Sequence, residues 1–565
     1  MEHSRRGEDL PPWQEVATEK REREAQKIPP EWRLPEETLN RARELRNIAG
    51  HFLDGILDDK TRHLTNLDAS ILLERTRDGS LTAMDVTAAF CKRAAFAHQL
   101  NRSLIEIGFN NALKRAKWLD EFWKSHHHPS GPLHGLPVTL KDQFHVKGMG
   151  TTMGYVGWID SFEGDKTSEI KYRAESELVR KLESLGAIII AKTTPVQSLW
   201  YWETNNNILG YHQNPRCQNL SSGGSSGGEG GIQALRGSAV GFGTDIGGSV
   251  SMPAAFNGVF SIKPSAGRLP TKDMPNSSLG QIHIPTVVGI LGPSISTLRH
   301  VFQALVSSEP WRTDPSVLPI PWREPKLPSK LSFGFMDFDG VVKPHPPIIR
   351  ALRMAKAALE KFGHEVIPWK GPPIQEAAAI HSSIIRADGN FDVFLRLALS
   401  GEPMIPQLVP FAPTGQPQPP KTAIEVAQYV QNMMNYRARH LAYWQSTASK
   451  TATGQPVDAV LLPVATSAGL IPGKPLYHAY ITLANLIDHA TLVVPVTQAD
   501  QLVDTFEKDY TPAGELDRRV WEAYDPVAYD GAPATIQVLG GRLEEEKLLA
   551  VGQVVVDALR EYKSL

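Results

Sequence analysis

Two serines set 24 residues apart, each enclosed in glycine, constrain this 565-residue chain more than any other feature. The first lies in Gly223-Gly224-Ser225-Ser226-Gly227-Gly228 and the second in Thr244-Asp245-Ile246-Gly247-Gly248-Ser249. Glycine opens backbone angles closed to other residues and lets a ligand approach the main chain. Consecutive N–H groups in such a turn can converge on a developing anion. A glycine-serine tract is more often a flexible linker, but this one is short, runs into apolar residues and repeats its Gly-Gly-Ser chemistry at Ser249. A phosphate cradle would end in Gly-Lys-Ser/Thr, and that ending is missing here. Gly224–Gly228 also satisfies G-x-S-x-G, a nucleophile elbow with Ser226 attacking. That reading needs a strand running straight into the serine, whereas Gln213–Asn219 is polar and broken by Pro215.

A hydroxyl is a weak nucleophile until a base takes its proton. About a hundred residues earlier, Leu136-Pro-Val-Thr-Leu-Lys141-Asp142 reads as a short apolar strand ending in a lysine. Lysine serves as a base only when neutral, which burial favours. Gly135–Asp142, followed by Gly148 and Thr151-Thr152-Met153-Gly154, together with the paired serine block, resembles the amidase signature family. Asp339-Gly-Val-Val, Pro344-His-Pro-Pro, Gly363–Trp369, Asp458–Pro463 and Tyr480–Asp488 are similar to its fungal acetamidase-type branch, so the likeness covers most of the chain.

The resemblance implies an amidase that splits a small or medium carboxamide into acid and ammonia or amine through an acyl-enzyme. In it Ser249 attacks, Ser225 relays the proton to Lys141, and Ser225 follows a cis peptide bond from Gly224. It also implies an oxyanion hole from the N–H groups of Ile246, Gly247, Gly248 and Ser249. Leu199, Trp200 and Ser225 are expected to line the substrate site, with Tyr201 and Trp202 shaping it for an apolar or aromatic group. Met252 and Phe256 are equally compatible with that site or with core. No cofactor is expected.

Two positions depart from the family pattern. Ser251 stands where an arginine usually follows the nucleophile by two, and Thr535 replaces the glycine of P-x-G-x-Q in Pro533–Gln537. Losing a guanidinium beside the oxyanion turn removes several donors. These departures keep open an impaired, binding or scaffold relative, and an acyl-enzyme also leaves open transfer to an acceptor other than water.

Composition removes other classes. The 59 basic and 61 acidic residues nearly balance, which gives no electrostatic case for nucleic acid. Cys91 and Cys217 are too few for a disulfide framework or a cysteine metal site. His126-His127-His128 has no companion ligand cluster and reads as solvated loop. No run reaches the ~20 apolar residues of a membrane span, and the amino terminus lacks a secretory apolar segment. The expectation is a cytoplasmic protein whose partner is a small-molecule amide; a homodimer is one assembly open to it.

Strand-like segments at 137–140, 187–191, 240–243, 259–263, 331–335, 459–463, 491–496 and 536–539 alternate with helical ones at 174–185, 347–362, 423–447 and 543–562. Earlier helices are expected over 40–57 and 82–97. Such alternation predicts an α/β protein; the resemblance implies a single large mixed β-sheet covered by helices on both faces. Residues 1–35 read as a charged amino-terminal arm. Residues 36–565 read as the catalytic domain, with a helical part at 36–125 and a signature core at about 131–300. The proline-rich stretches Ser308–Lys330 and Glu402–Lys421 are expected as surface excursions.

Overall fold

The computed structural model describes residues 12–278 and 280–564. Among them are 19 α-helices and 13 strands. In chain order the strands are β1 (Leu104–Ile107), β2 (Pro137–Lys141), β3 (Ile188–Thr193), β4 (Gln213–Asn214), β5 (Cys217–Ser221), β6 (Val240–Asp245), β7 (Phe260–Lys263), β8 (Val287–Gly292), β9 (Ser332–Phe335), β10 (Glu365–Pro368), β11 (Ala459–Pro463), β12 (Thr491–Gln498) and β13 (Pro533–Leu539). Eleven form one sheet in the order β1-β3-β2-β6-β8-β7-β12-β13-β11-β9-β10, while β4 and β5 pair separately. The sheet is mixed: β2 runs parallel to β3 and β6, and β8 antiparallel to β6 and β7.

Alternate residues of a strand point to opposite faces, and both faces are apolar here. On β12, Leu492 meets the helix Glu545–Lys563 at Gly552, whereas its neighbour Val493 packs with Val250, Met252 and Phe256 around the helix Ser251–Asn257. The expected helix-covered sheet is thus present. Five strands carry too weak a pattern to be read from the sequence: the separate pair β4 and β5 and, in the main sheet, β1, β10 and the central β8. In β8 the glycine that breaks the apolar run is required, because a Cβ at Gly289 would come within 2.9 Å of both the Ile262 carbonyl oxygen and Val250.

Other boundaries shift for local reasons. The helix expected over 40–57 is two, Glu36–Glu44 and His51–Gly55, separated by extended Leu45 and by Gly50 at φ +57°. Residues 1–11 of the expected arm lie outside the described residues. From Trp13 to Gln26 the arm is a helix seated on the body, with Ala17, Lys20 and Glu24 buried. Glu402–Lys421 is more than an excursion: the Glu402 carboxylate is buried and accepts from the Val156 N–H at 2.6 Å and from Gln197 Nε2 at 2.9 Å. No helix among the described residues is long and apolar enough to cross a membrane.

A line of buried charge runs from the first helix to the floor of the parallel strands. Lys20 bridges Glu24 and Glu106. Glu106 sits opposite Lys192 in the β1–β3 register, and Lys192 Nζ lies 2.6 Å from Asp142, with neither side chain exposed. Removing one member of such a pair strands the other charge in a dry interior. Lys192→Met is therefore expected to cost about 3–5 kcal/mol of unfolding free energy in urea titrations. Arg23→Ala, which breaks the half-exposed pair with Asp160, should cost under about 1 kcal/mol.

Candidate active site

The parallel arrangement of β3, β2 and β6 brings their carboxyl ends to one edge of the sheet, the usual place for a site in α/β folds. Lys141 closes β2 and pairs in register with Thr193 at the end of β3; Thr244 and Asp245 close β6. The Lys141 side chain is fully buried. Its Nζ donates to Ser225 Oγ and to Thr244 Oγ1, both at 2.8 Å. Thr244 Oγ1 donates in turn to Gln143 Oε1 at 2.6 Å, and Gln143 Nε2 is held by the Pro275 carbonyl at 2.8 Å. The Thr244 hydroxyl has one proton, spent on Gln143, so toward Lys141 it acts only as an acceptor.

Burial pulls the Lys141 ammonium down to about 7, against the opposing charges of Asp245 and Glu229. The same dryness pushes Glu229 up to about 8, against the two hydroxyl bonds it accepts from Thr139 and Thr193, each 2.8 Å long. A carboxyl that keeps its proton near neutrality does little to hold the lysine charged.

The Gly224–Ser225 peptide is cis. The Ser225 carbonyl accepts from the Val196 N–H at 3.2 Å, and the Ser226 N–H donates to the Ser249 carbonyl at 3.1 Å, so the two serine loops are laced together. Among the described residues no hydrogen bond joins Ser225 Oγ to Ser249 Oγ. Ser249 is 7% exposed and Ser225 1%. Ser226 is wholly buried, with its Oγ directed at the Thr244 carbonyl. The strand β5 does precede it, contrary to the sequence reading, but ends at Ser221 in the separate two-stranded pair. No strand of the main sheet runs straight into Ser226, as an elbow would require.

Of the four N–H groups expected in the oxyanion turn, Gly248 is already engaged, donating to Asp245 Oδ1 at 2.7 Å. Those of Ile246, Gly247 and Ser249 have no backbone or side-chain acceptor among the described residues. The Asp245 carboxylate is the hub of the turn. It also accepts from the N–H groups of Val250 (2.7 Å) and Ser251 (3.3 Å) and from Asn485 Nδ2 (2.9 Å). Ser251, at the position usually held by arginine, leaves its own Oγ buried without a partner; three N–H groups and the Asn485 amide compensate Asp245 instead.

Two rings clamp the turn from outside. His381 Nε2 donates to the Ile246 carbonyl at 2.7 Å, and burial pulls this imidazole down to about 4, so it is neutral. Trp202 Nε1 donates to the Gly247 carbonyl at 2.8 Å while stacking on His478. His381 and Asn485 lie more than 130 residues beyond the turn; Asn485 falls inside the Tyr480–Asp488 stretch that resembles the family, but neither residue was read there as part of the site. Gln143 and Thr244, by contrast, sit inside the stretches already singled out. Leu199 packs with Met153, Tyr155 and Trp158, while Trp200 stays partly exposed. Met252 and Phe256 belong to the core behind the turn. Thr535 is buried on β13 opposite Pro495. His126, His127 and His128 are exposed, and among the described residues no group of three or more His, Cys, Asp or Glu could hold a metal ion.

The fold and this edge of the sheet define an amide hydrolase. The chain matches the Amidase family profile over residues 85–549 and belongs to the amidase signature family. It is 40% identical over 558 residues to an acetamidase of Aspergillus oryzae, covering 96% of this chain and 98% of the relative. An acetamidase of Emericella nidulans is 40% identical over 555 residues, covering 96% and 97%. Among solved structures, a fatty acid amide hydrolase superposes with a TM-score of 0.89 at 28% identity, over 97% of this chain and 95% of that one.

If His381 holds the turn through the Ile246 carbonyl, His381→Phe keeps the ring and loses the donor. The expected result is a fall of about tenfold or more in kcat with KM little changed, below the 10²–10³ typical of deleting an oxyanion donor itself. Steady-state kinetics on a protein of unchanged circular dichroism checks it.

Proposed function

We propose that the chain hydrolyses a small or medium carboxamide by a serine–cis-serine–lysine route, within one catalytic unit spanning residues 36–565. The observation that carries this reading is the buried Lys141 Nζ, 2.8 Å from Ser225 Oγ, with its ordinary basicity removed by burial. In the neutral amine, one N–H goes to Thr244, which can only accept, and the lone pair is left for the Ser225 hydroxyl proton. Ser249 Oγ attacks the amide carbon as its proton passes to Ser225 Oγ, whose own proton passes to Lys141. The N–H groups of Ile246, Gly247 and Ser249 receive the oxyanion. Lys141 returns the proton through Ser225 to the leaving nitrogen, which departs as ammonia or amine and leaves an ester on Ser249. Water then attacks by the same relay, releasing the acid. The names of the relatives support an amide substrate, from acetamidases to a fatty acid amide hydrolase.

A fluorophosphonate probe is expected to label wild type at Ser249. Ser249→Ala should abolish labelling and turnover, whereas Ser226→Ala should still be labelled; the reverse pattern overturns the assignment. Lys141→Arg keeps the charge but cannot deprotonate near neutrality, so it should cut acylation by several orders of magnitude, as should Lys141→Ala. Near-wild-type acylation in the arginine variant would exclude lysine as the base.

The acid limb has a definite sign. The working form of Lys141 is deprotonated, so kcat/KM should rise about tenfold per pH unit below about 7 and level off above it. A flat profile between pH 5 and 7 contradicts the relay.

A further inference from the structure

A narrow slot opens at Ser198 and Trp200, and the hydrolytic steps do not use its polar end. Its walls are Trp200, Met404 and Phe411, and its polar groups are Ser198, Asn390 and Arg386. Ser198 lies two residues beyond Val196, whose N–H is bonded to the Ser225 carbonyl. Arg386 caps the helix Ile374–Ile385, the helix whose His381 grips the Ile246 carbonyl. At 1.5 Å of rise per residue, Arg386 stands about 7–8 Å along the axis from His381. The slot and the oxyanion turn therefore share this one helix, which carries His381 to the turn and the Arg386 guanidinium to the slot.

That guanidinium is uncompensated. Its Cζ lies 3.5 Å from the Phe411 ring centroid, which occupies one face. Among the described residues it makes no ion pair, and the nearby acids are committed elsewhere. Asp388 is turned to the Ser278 hydroxyl and the Asn390 N–H, Asp392 pairs with Arg396 at 2.9 Å, and Glu402 is held by Val156 and Gln197. Burial pulls Arg386 down to about 10, still cationic at neutral pH. A half-buried fork with its edge free matches the two oxygens of a carboxylate. The walls before it, Trp200, Met404 and Phe411, are apolar and suit methylene groups rather than further charge.

We propose that Arg386 is a specificity-determining residue that receives a carboxylate at the far end of the substrate's acyl group, so that monoamides of linear dicarboxylic acids are favoured over neutral amides. This rests on the amide-hydrolase reading above and names a substrate class for it.

The test compares kcat/KM for adipic acid monoamide and for hexanamide in wild type, Arg386→Met and Arg386→Lys. A charge-assisted, bidentate contact is expected to favour the monoamide by about 10–100-fold in wild type. Arg386→Met should erase that preference, mainly through KM, and leave hexanamide within about threefold. Arg386→Lys should keep part of it. No wild-type preference, or an equal loss on both substrates in Arg386→Met, overturns the proposal while leaving amide hydrolysis intact. Binding of the same two compounds to Ser249→Ala, with and without Arg386→Met, separates the two readings. Arg386-dependent binding of the monoamide without turnover in wild type keeps the carboxylate site and removes the amidase mechanism. Binding that ignores Arg386 removes the site.

Discussion

The burial of one amino group is the constraint on which the site depends. A lysine in water is a cation and no base; in the proposed mechanism Lys141 becomes one because β2 delivers it between β3 and β6 with no exposed surface. The neighbourhood is arranged to tolerate the neutral amine. Thr244 is locked by Gln143 into accepting, Glu229 is pushed toward its neutral form, and the charged Asp245 is turned away to backbone N–H groups and Asn485. The adjacent Asp142 is answered by a different lysine, Lys192, on β3. Two buried lysines thus lie side by side: Lys192 is held in an ion pair with Asp142, while burial lowers the basicity of Lys141.

The oxyanion turn follows the same logic of fixed partners. Its carbonyls are held by His381 and Trp202 and its reverse side by Asp245, so in the proposed mechanism the N–H groups of Ile246 and Gly247 need no rearrangement before charge develops. This also accounts for Ser251. The buried carboxylate that a guanidinium could neutralise has four donors without it, and the turn keeps its shape.

Much of this was legible in the chain because glycine and lysine left local marks. The paired Gly-Gly-Ser motifs and the apolar strand before Lys141 located three side chains that the fold brings to one edge. The engagement of the Gly248 N–H was not legible, because motif spacing carries no information on which N–H groups turn inward; here it donates to the Asp245 carboxylate. The roles of His381, Asn485 and Arg386 were hidden for another reason, although Asn485 stands in the Tyr480–Asp488 stretch already singled out. Each reaches the site through tertiary packing of a distant helix or its cap, and no nearby residue signals the contact. The same distinction holds for the fold. The apolar runs of β2 and β12 announced themselves, whereas β8 was masked by Gly289, whose missing side chain lets Val250 and the Ile262 backbone close in.

The central claim is that burial lets Lys141 shed its proton near neutrality. It is tested most directly by NMR titration of protein carrying 13Cε-labelled lysine, with Lys141→Met used to assign the resonance. The account predicts one buried amine whose shift moves with a midpoint near pH 7, far below the ~10.4 of free lysines. A Lys141 resonance that titrates near 10 would contradict it.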